Sequence, residues 1–124
     1  MLSLRYDPPH GELARRALSA VRRGERIEVL LDYPLSGEEA PRMQSGEIRD
    51  RVRFHLREMA RLTQELGLGI RHARPEGWLA RTAARDPRIA RALAHGVQAS
   101  FTGILLRTET GSLLAREARR LGLL

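Results

Sequence analysis

The sequence predicts a small α/β protein in which a short sheet and its helices form a two-layer sandwich. Apolar segments of strand length alternate along the chain with longer segments whose apolar residues recur every three or four positions. Glycine and proline punctuate the boundaries between them. The length of 124 residues, 42% of them hydrophobic, suits one domain over residues 1–124. We therefore expect the order strand, helix, strand, helix, repeated once.

The first half of the chain contains two predicted strands and two predicted helices. Residues 2–5 alternate apolar and polar side chains, and 11–23 show helical periodicity closed by a glycine. Residues 25–33 form an apolar strand that ends before Pro34. The longest helix is expected over 46–66, with Gly67 as its C-terminal cap.

The second half follows the same order with shorter segments. Strands are expected at 70–73 and 100–107, and a helix over 76–97 with a kink or break at Pro87, which cannot continue an α-helix undisturbed. A closing helix is expected over 112–121, capped near Gly122.

An internal similarity relates the two halves. When the chain is shifted by 66 positions, 5–17 lie over 71–83 and more than half of these positions are identical. The sequence therefore predicts two tandem βαβα repeats, 1–67 and 68–124. The identical pairs are Arg5/Arg71, Pro9/Pro75, Gly11/Gly77, Leu13/Leu79, Ala14/Ala80, Arg15/Arg81 and Ala17/Ala83.

Composition restricts the chemistry available to the chain. Without cysteine it can form no disulfide, thiolate nucleophile or cysteine-based metal site. All 22 basic residues are arginine, which is typical of a GC-rich and thermophilic genome, and the net charge of +7 favours phosphates and carboxylates as partners. No apolar run is long enough to span a membrane and no signal peptide is recognisable, so we expect a cytoplasmic protein.

The first 43 residues resemble the TusA/SirA family of small sulfur-carrier proteins. The resemblance rests on a strand ending in Leu4-Arg5, on Asp7-Pro8, on Gly24-Glu25 before the second strand, and on Asp32-Tyr33-Pro34 after it. It implies the α/β fold of that family. The family's persulfide-bearing cysteine falls on Asp7, which excludes sulfur transfer and favours a non-catalytic interaction or regulatory module. Cysteine-free DUF2249-type domains fit the same segment.

A second resemblance covers residues 70–95. The LamB/YcsF proteins, which form the A component of bacterial 5-oxoprolinase, have a His-x-Lys-Pro-His-Gly-Ala-Leu-Tyr pattern, of which His72, Pro75, Gly77 and Leu79 are present here. Glu76 replaces the second histidine, and half of the expected barrel length is absent. This resemblance implies a degenerate 5-oxoprolinase-type subunit. No catalytic residue is transferred from it.

Two clusters are candidates for binding. Asp7 and His10 begin the first predicted helix, and with Arg5 they form a candidate site for an anion or for a protein partner. Alternatively, Asp7 only caps that helix.

An arginine stripe follows the long helix at intervals of four residues: Arg49, Arg53, Arg57 and Arg61. It suits either a solvated, ion-paired surface or a contact with nucleic acid. An arginine-rich nucleic-acid-binding protein is therefore the alternative function.

The remaining residue types give no pattern of catalysis or metal binding. The four histidines lack metal-ligand spacing, and no serine lies in a nucleophile-elbow motif. We expect no metal, no cofactor and no catalytic residue. Because a short sheet leaves edges and apolar strips uncovered, a homo-oligomer or a complex with a protein partner is expected.

Overall fold

The computed structural model describes residues 2–5, 15–16, 19–20, 22–24, 26–32 and 44–124. It confirms the α/β fold class: four parallel strands form one sheet in the order β1-β2-β3-β4, and helices connect them. The described residues at 15–16, 19–20 and 22 are also helical. The elements are β1 (Leu2–Arg5), β2 (Ile27–Leu31), α1 (Ser45–Glu65), β3 (His72–Pro75), α2 (Gly77–Arg85), α3 (Pro87–Ala99), β4 (Leu105–Leu106) and α4 (Leu113–Arg120).

The strand register assigns every other residue to one of two faces of the sheet, because successive side chains of a strand point in opposite directions. One face, here called the apolar face, packs against the helices. The opposite one, the polar face, carries a carboxylate, an imidazole and two guanidinium groups. The apolar face includes Ile27, Val29, Leu31, Ala73 and Leu106, and the polar face includes Ser3, Glu28, Leu30, His72, Arg74, Leu105 and Arg107.

The long helix α1 supplies much of the core beneath the apolar face. Its buried residues recur at three- and four-residue steps and include Ile48, Val52, Leu56 and Met59. The helix ends in a Schellman motif, in which the Leu68 amide donates to the Thr63 carbonyl at 2.8 Å and Gly67 adopts a φ of 75°. The predicted cap at Gly67 is therefore confirmed.

Helix α3 packs closely against α1 at Gly96. A Cβ placed on Gly96 would lie 2.8 Å from the backbone oxygen of Arg49 and 2.8 Å from the Cβ of Val52. Both distances are shorter than a methyl group tolerates, so the absence of a side chain at Gly96 sets the approach of the two helices.

The predicted helix over 76–97 is two helices, because the chain breaks at Pro87 as expected. Pro87 has no amide hydrogen with which to continue α2, and it occupies the first turn of α3. The Asp86 side chain caps α3 by accepting from the Arg88 amide at 2.9 Å. The helix therefore restarts within one residue.

The last strand is much shorter than the predicted 100–107. Residues 100–103 turn instead, since Phe101 and Gly103 both have positive φ angles, of 52° and 75°. The third strand also lies two residues later than predicted, at His72–Pro75. Helix α4 ends near Gly122 as expected, where the Leu123 amide donates to the Ala118 carbonyl at 2.8 Å.

Candidate functional site

The carboxyl ends of the strands meet at one edge of the sheet because all strand pairs are parallel. We call this the carboxyl edge. Asp32 follows β2 there, Glu76 follows β3 and Arg107 follows β4. Ligands of open parallel α/β sheets bind outside the carboxyl ends of the strands. The carboxyl edge is therefore the candidate functional site.

Asp32 lies directly over the first residue of α2. A Cβ on Gly77 would come within 2.8 Å of the carboxyl carbon of Asp32 and 2.9 Å of its Oδ1, so any larger residue would require the Asp32 side chain to shift. The φ of Gly77 is +56°, a conformation that most other residues adopt only with strain. The backbone conformation thus favours glycine at position 77, and the missing side chain leaves room for the carboxylate of Asp32.

Glu76 occupies the neighbouring position, immediately before α2. Its amide donates to the carbonyl of Leu31 at 3.0 Å, which ties the end of β3 to the end of β2 next to Asp32. Oδ1 of Asp32 is buried and accepts no hydrogen bond within the part of the chain that the structure describes. A buried acceptor of this kind is costly unless a donor reaches it. The start of α2 is thus flanked by two carboxyl-bearing residues, and Oδ1 of Asp32 is an unused acceptor among the described residues.

An ion cluster lies on the polar face, and we call Glu28, Arg74 and Arg107 the Glu28 cluster. Oε1 of Glu28 accepts from Nε of Arg74 at 2.9 Å, and Oε2 accepts from a terminal nitrogen of Arg107 at 3.0 Å. The Glu28 side chain is only 2% exposed, whereas the two arginines are about half exposed. One buried carboxylate therefore orients two cations on adjacent strands.

His72 shares the polar face with this cluster and is in register with Glu28. Four residues along β3 separate it from Glu76, which corresponds to about 13 Å of extended chain. Both residues are half-buried. His72 and Glu76 therefore do not form a contacting pair. Among the described residues, no group of three metal-ligating side chains could hold a metal ion.

The predicted anion site at Arg5, Asp7 and His10 falls largely outside the described residues. Asp7 and His10 belong to the undescribed segment, and for Arg5 only the backbone is described, in register with Leu30. That register brings the end of β1 to the carboxyl edge as well. Binding of an anion or a partner by these three residues stays a prediction.

The arginine stripe on α1 is exposed at all four positions. Arg61 pairs with Glu58 and Glu65, each at 3.0 Å, and the hydrogen bond to Glu58 raises the pKa of Arg61. Arg49 contacts Asp50 at 3.3 Å, and Arg57 donates to the carbonyl of Ser100 at 3.4 Å. Three of the arginines thus have partners within the protein. A nucleic-acid contact through Arg49, Arg53, Arg57 and Arg61 stays a prediction.

Comparison with known proteins decides between the two resemblances. The model of the LamB/YcsF family matches residues 36–124, which include α1 to α4 and the strands β3 and β4. The chain belongs to the LamB/YcsF family. The resemblance seen at 70–95 was therefore one part of a much longer match.

One relative agrees with this membership, and one solved structure shares the fold. The chain is 31% identical over 114 residues to the A component of the 5-oxoprolinase of Syntrophobacter fumaroxidans, covering 90% of this chain and 45% of that protein. It also resembles the crystal structure of a lactam utilization protein from Thermus thermophilus, with a TM-score of 0.80 and 24% identity, over 91% of this chain and 47% of that one. That structural likeness establishes the fold. The chain spans about half the length of each of these two proteins.

The TusA/SirA interpretation is wrong, and the family match over 36–124 overturns it. It relied on short motifs before residue 43, of which Asp7-Pro8 and Tyr33-Pro34 lie outside the described residues. A strand, a helix and a glycine turn recur in many parallel α/β proteins, so their order is not specific to one family. The expected TusA-like interaction or regulatory module depended on this resemblance, and the family match instead favours the alternative of a 5-oxoprolinase-type subunit.

Sequence reasoning did not predict the residues that form the site at the carboxyl edge and the Glu28 cluster. Glu28 is a lone carboxylate in an otherwise apolar strand, and such a residue needs a buried partner. That pattern could have indicated a cluster. Its partners could not be found in the same way, because Arg74 and Arg107 are two among 22 arginines and only the strand register selects them.

No helix in the described part of the chain is both long and apolar enough to cross a lipid bilayer.

Proposed function

We propose that this chain acts as the A component of a 5-oxoprolinase and takes part, with a protein partner, in opening the lactam amide of 5-oxoproline. Its membership of the LamB/YcsF family supports the proposal, as do the names of its relatives, one a 5-oxoprolinase component and the other a lactam utilization protein. The observation that carries it is the position of Asp32 and Glu76 at the carboxyl ends of adjacent strands, both beside the start of α2.

Lactam opening requires groups that move protons and stabilise negative charge. Water adds to the carbonyl carbon, the ring nitrogen gains a proton, and the carbon–nitrogen bond breaks to give glutamate. A carboxylate within reach of that water can accept its proton as a general base. Asp32 suits this role because its buried Oδ1 is an unused acceptor among the described residues.

Negative charge develops on the carbonyl oxygen during this addition, and cations or backbone amides can stabilise it. Two sources of positive potential lie near the carboxyl edge: the first turn of α2, which begins at Gly77, and the guanidinium groups of the Glu28 cluster. Glu28 holds Arg74 and Arg107 in place without entering the reaction. We assign Glu28 as a positioning residue.

The chain departs from the family pattern within residues 72–79, at residue 76. Glu76 stands where the family pattern has a second histidine, so a carboxylate replaces an imidazole at the carboxyl edge. Such a replacement exchanges a ring with two nitrogen atoms for a carboxyl group with two oxygen atoms, which changes the hydrogen bonds that this position can make to a ligand. The proposal therefore also covers a degenerate 5-oxoprolinase-type subunit, whose activity differs from that of its relatives.

The name of the relative marks it as one subunit of an enzyme, and the test uses that relation. The full chain is added to the remaining subunits of a bacterial 5-oxoprolinase from which the A component has been omitted, and glutamate release from 5-oxoproline is measured. We expect release to depend on this chain. No glutamate release in the presence of the chain would reject the proposal.

A further inference from the structure

A cleft of about 440 Å³ opens between α2 and α4 at the carboxyl ends of β3 and β4. It is distinct from the meeting point of Asp32 and Gly77, but Pro75 lines it and Glu76 follows Pro75 directly. Proline, alanine and leucine side chains form its apolar wall. A volume of this size suits a small organic molecule.

Three arginines line this cleft: Arg74, Arg81 and Arg107. Glu28 already pairs with two of them, whereas Arg81 has no acidic partner in the part of the chain that the structure describes. Glu109 also lines the cleft and offsets one charge. Among the residues that the structure describes at this cleft, the three arginines exceed the carboxylates of Glu28 and Glu109 by one positive charge. A monoanion therefore matches the cleft better than a dianionic phosphate.

Neutral donors are present beside the arginines. The hydroxyls of Thr108 and Ser112 lie 3.2 Å apart, and Ser112 Oγ also accepts from the amide of Ala115 at 3.0 Å. When one hydroxyl donates to the other, the pair retains one hydroxyl hydrogen for a ligand. Both residues line the cleft at the beginning of α4.

We propose that this cleft binds the carboxylate of a small organic acid, with Arg81 as its principal charge partner and the Thr108–Ser112 pair as a neutral donor. The apolar wall accommodates the hydrocarbon part of the same molecule. In the case of 5-oxoproline this inference rests on the proposed function: the cleft would hold the ring carboxylate and leave the lactam amide to the carboxyl edge.

Arg81 can be tested against a matched control on the same helix. Arg85 lies one turn further along α2, carries the same charge and does not line the cleft. We would compare the wild-type chain with Arg81→Met and Arg85→Met by isothermal titration calorimetry. The three probes are 5-oxoproline, cyclopentanecarboxylate, and 2-pyrrolidinone, which has the lactam ring without a carboxylate.

We expect Arg81→Met to weaken binding of both carboxylates by about ten-fold or more, because a charge-assisted hydrogen bond is lost. Arg85→Met should change their affinity by less than about two-fold, the scale of an exposed charge. Binding of 2-pyrrolidinone should be weaker than that of 5-oxoproline and insensitive to Arg81. Equal effects of the two variants, or no binding of either carboxylate to the wild-type chain, would overturn the proposal. Far-ultraviolet circular dichroism and thermal melts check that both variants are folded.

Ligand binding and glutamate release together distinguish the carboxylate site in the cleft from the proposed function. Arg81-dependent binding of cyclopentanecarboxylate without glutamate release would support the cleft and reject the function. Glutamate release with a KM for 5-oxoproline unchanged by Arg81→Met would support the function and reject the cleft as its carboxylate site.

Discussion

The two faces of the sheet are made from the same strands but are stabilised in different ways. On the apolar face, Val29 and Ala73 are fully buried among the side chains of the helices. On the polar face, one residue along each strand, the buried Glu28 and the half-exposed Arg74 form an ion pair. Burial of a charge is unfavourable compared with a well-packed apolar residue. The apolar face is thus built for packing, whereas the polar face keeps charged groups aligned beside the carboxyl edge.

The largest expected effect comes from removing the partners of Glu28. The double variant Arg74→Met/Arg107→Met leaves an uncompensated buried carboxylate, and we expect it to lose about 3–5 kcal/mol of unfolding free energy. Glu28→Met removes the buried charge itself and leaves two half-exposed arginines that water can solvate, so it should cost about 1 kcal/mol or less. Urea denaturation measures both. Equal losses of unfolding free energy in the two variants would show that the double variant leaves no costly uncompensated charge at Glu28.

Packing beneath the apolar face is tested at Gly96. Gly96→Ala places a methyl group against α1, and we expect it to cost about 1–3 kcal/mol through overpacking. Gly46→Ala is the matched control, since Gly46 is also helical but has open space around it. That substitution should be neutral or stabilise the protein by up to about 1 kcal/mol. Thermal melts that show equal shifts for the two variants would contradict close packing at Gly96.

The helical layer also contains a group that responds to pH. Burial lowers the pKa of His55 below its ordinary value of 6.5, and the charge of Arg51 adds to this effect. The unfolded chain therefore binds a proton at His55 more readily than the folded one, so this contribution to stability is lost as the pH falls below about 6.5. We expect His55→Gln to flatten the decrease in unfolding free energy between about pH 7.5 and about pH 5. An unchanged slope would exclude His55 as its source.

The smallest effect concerns the arginines on the outer surface of α1. If they contact nucleic acid, affinity for single-stranded RNA should fall steeply with salt, and Arg53→Glu should reduce the slope of that dependence by about one. Filter binding over a range of salt concentrations measures this slope. Equal slopes for Arg53→Glu and the wild-type chain would leave the stripe as an ion-paired, solvated surface.

Local patterns in the sequence predicted the elements whose boundaries depend on local chemistry. The end of α1 at Gly67 and the break at Pro87 follow from backbone conformation and a missing amide hydrogen, both of which can be read from single residues. The turn at Phe101 was missed because a phenylalanine with positive φ has no sequence signature. Whether 1–67 and 68–124 are tandem repeats stays a prediction.

The candidate site was less accessible from sequence because its residues meet only through the sheet. Asp32 and Gly77 are 45 positions apart, and their contact follows from the parallel pairing of β2 with β3. Local motifs instead favoured Asp7, since a carboxylate before a proline resembles a helix start wherever it occurs. The short match at 72–79 was the correct indication, but four shared residues were too few to outweigh the longer resemblance in the first half.

Glutamate release from 5-oxoproline by the reconstituted enzyme would show whether the carboxyl edge is the functional site. We predict that Asp32→Asn lowers kcat by about 100-fold or more, the usual contribution of a general base. Glu65→Gln, which removes an exposed carboxylate on α1, should leave kcat unchanged. If Asp32→Asn retained the wild-type kcat, Asp32 would have no part in the reaction and the site would have to be sought elsewhere in the chain.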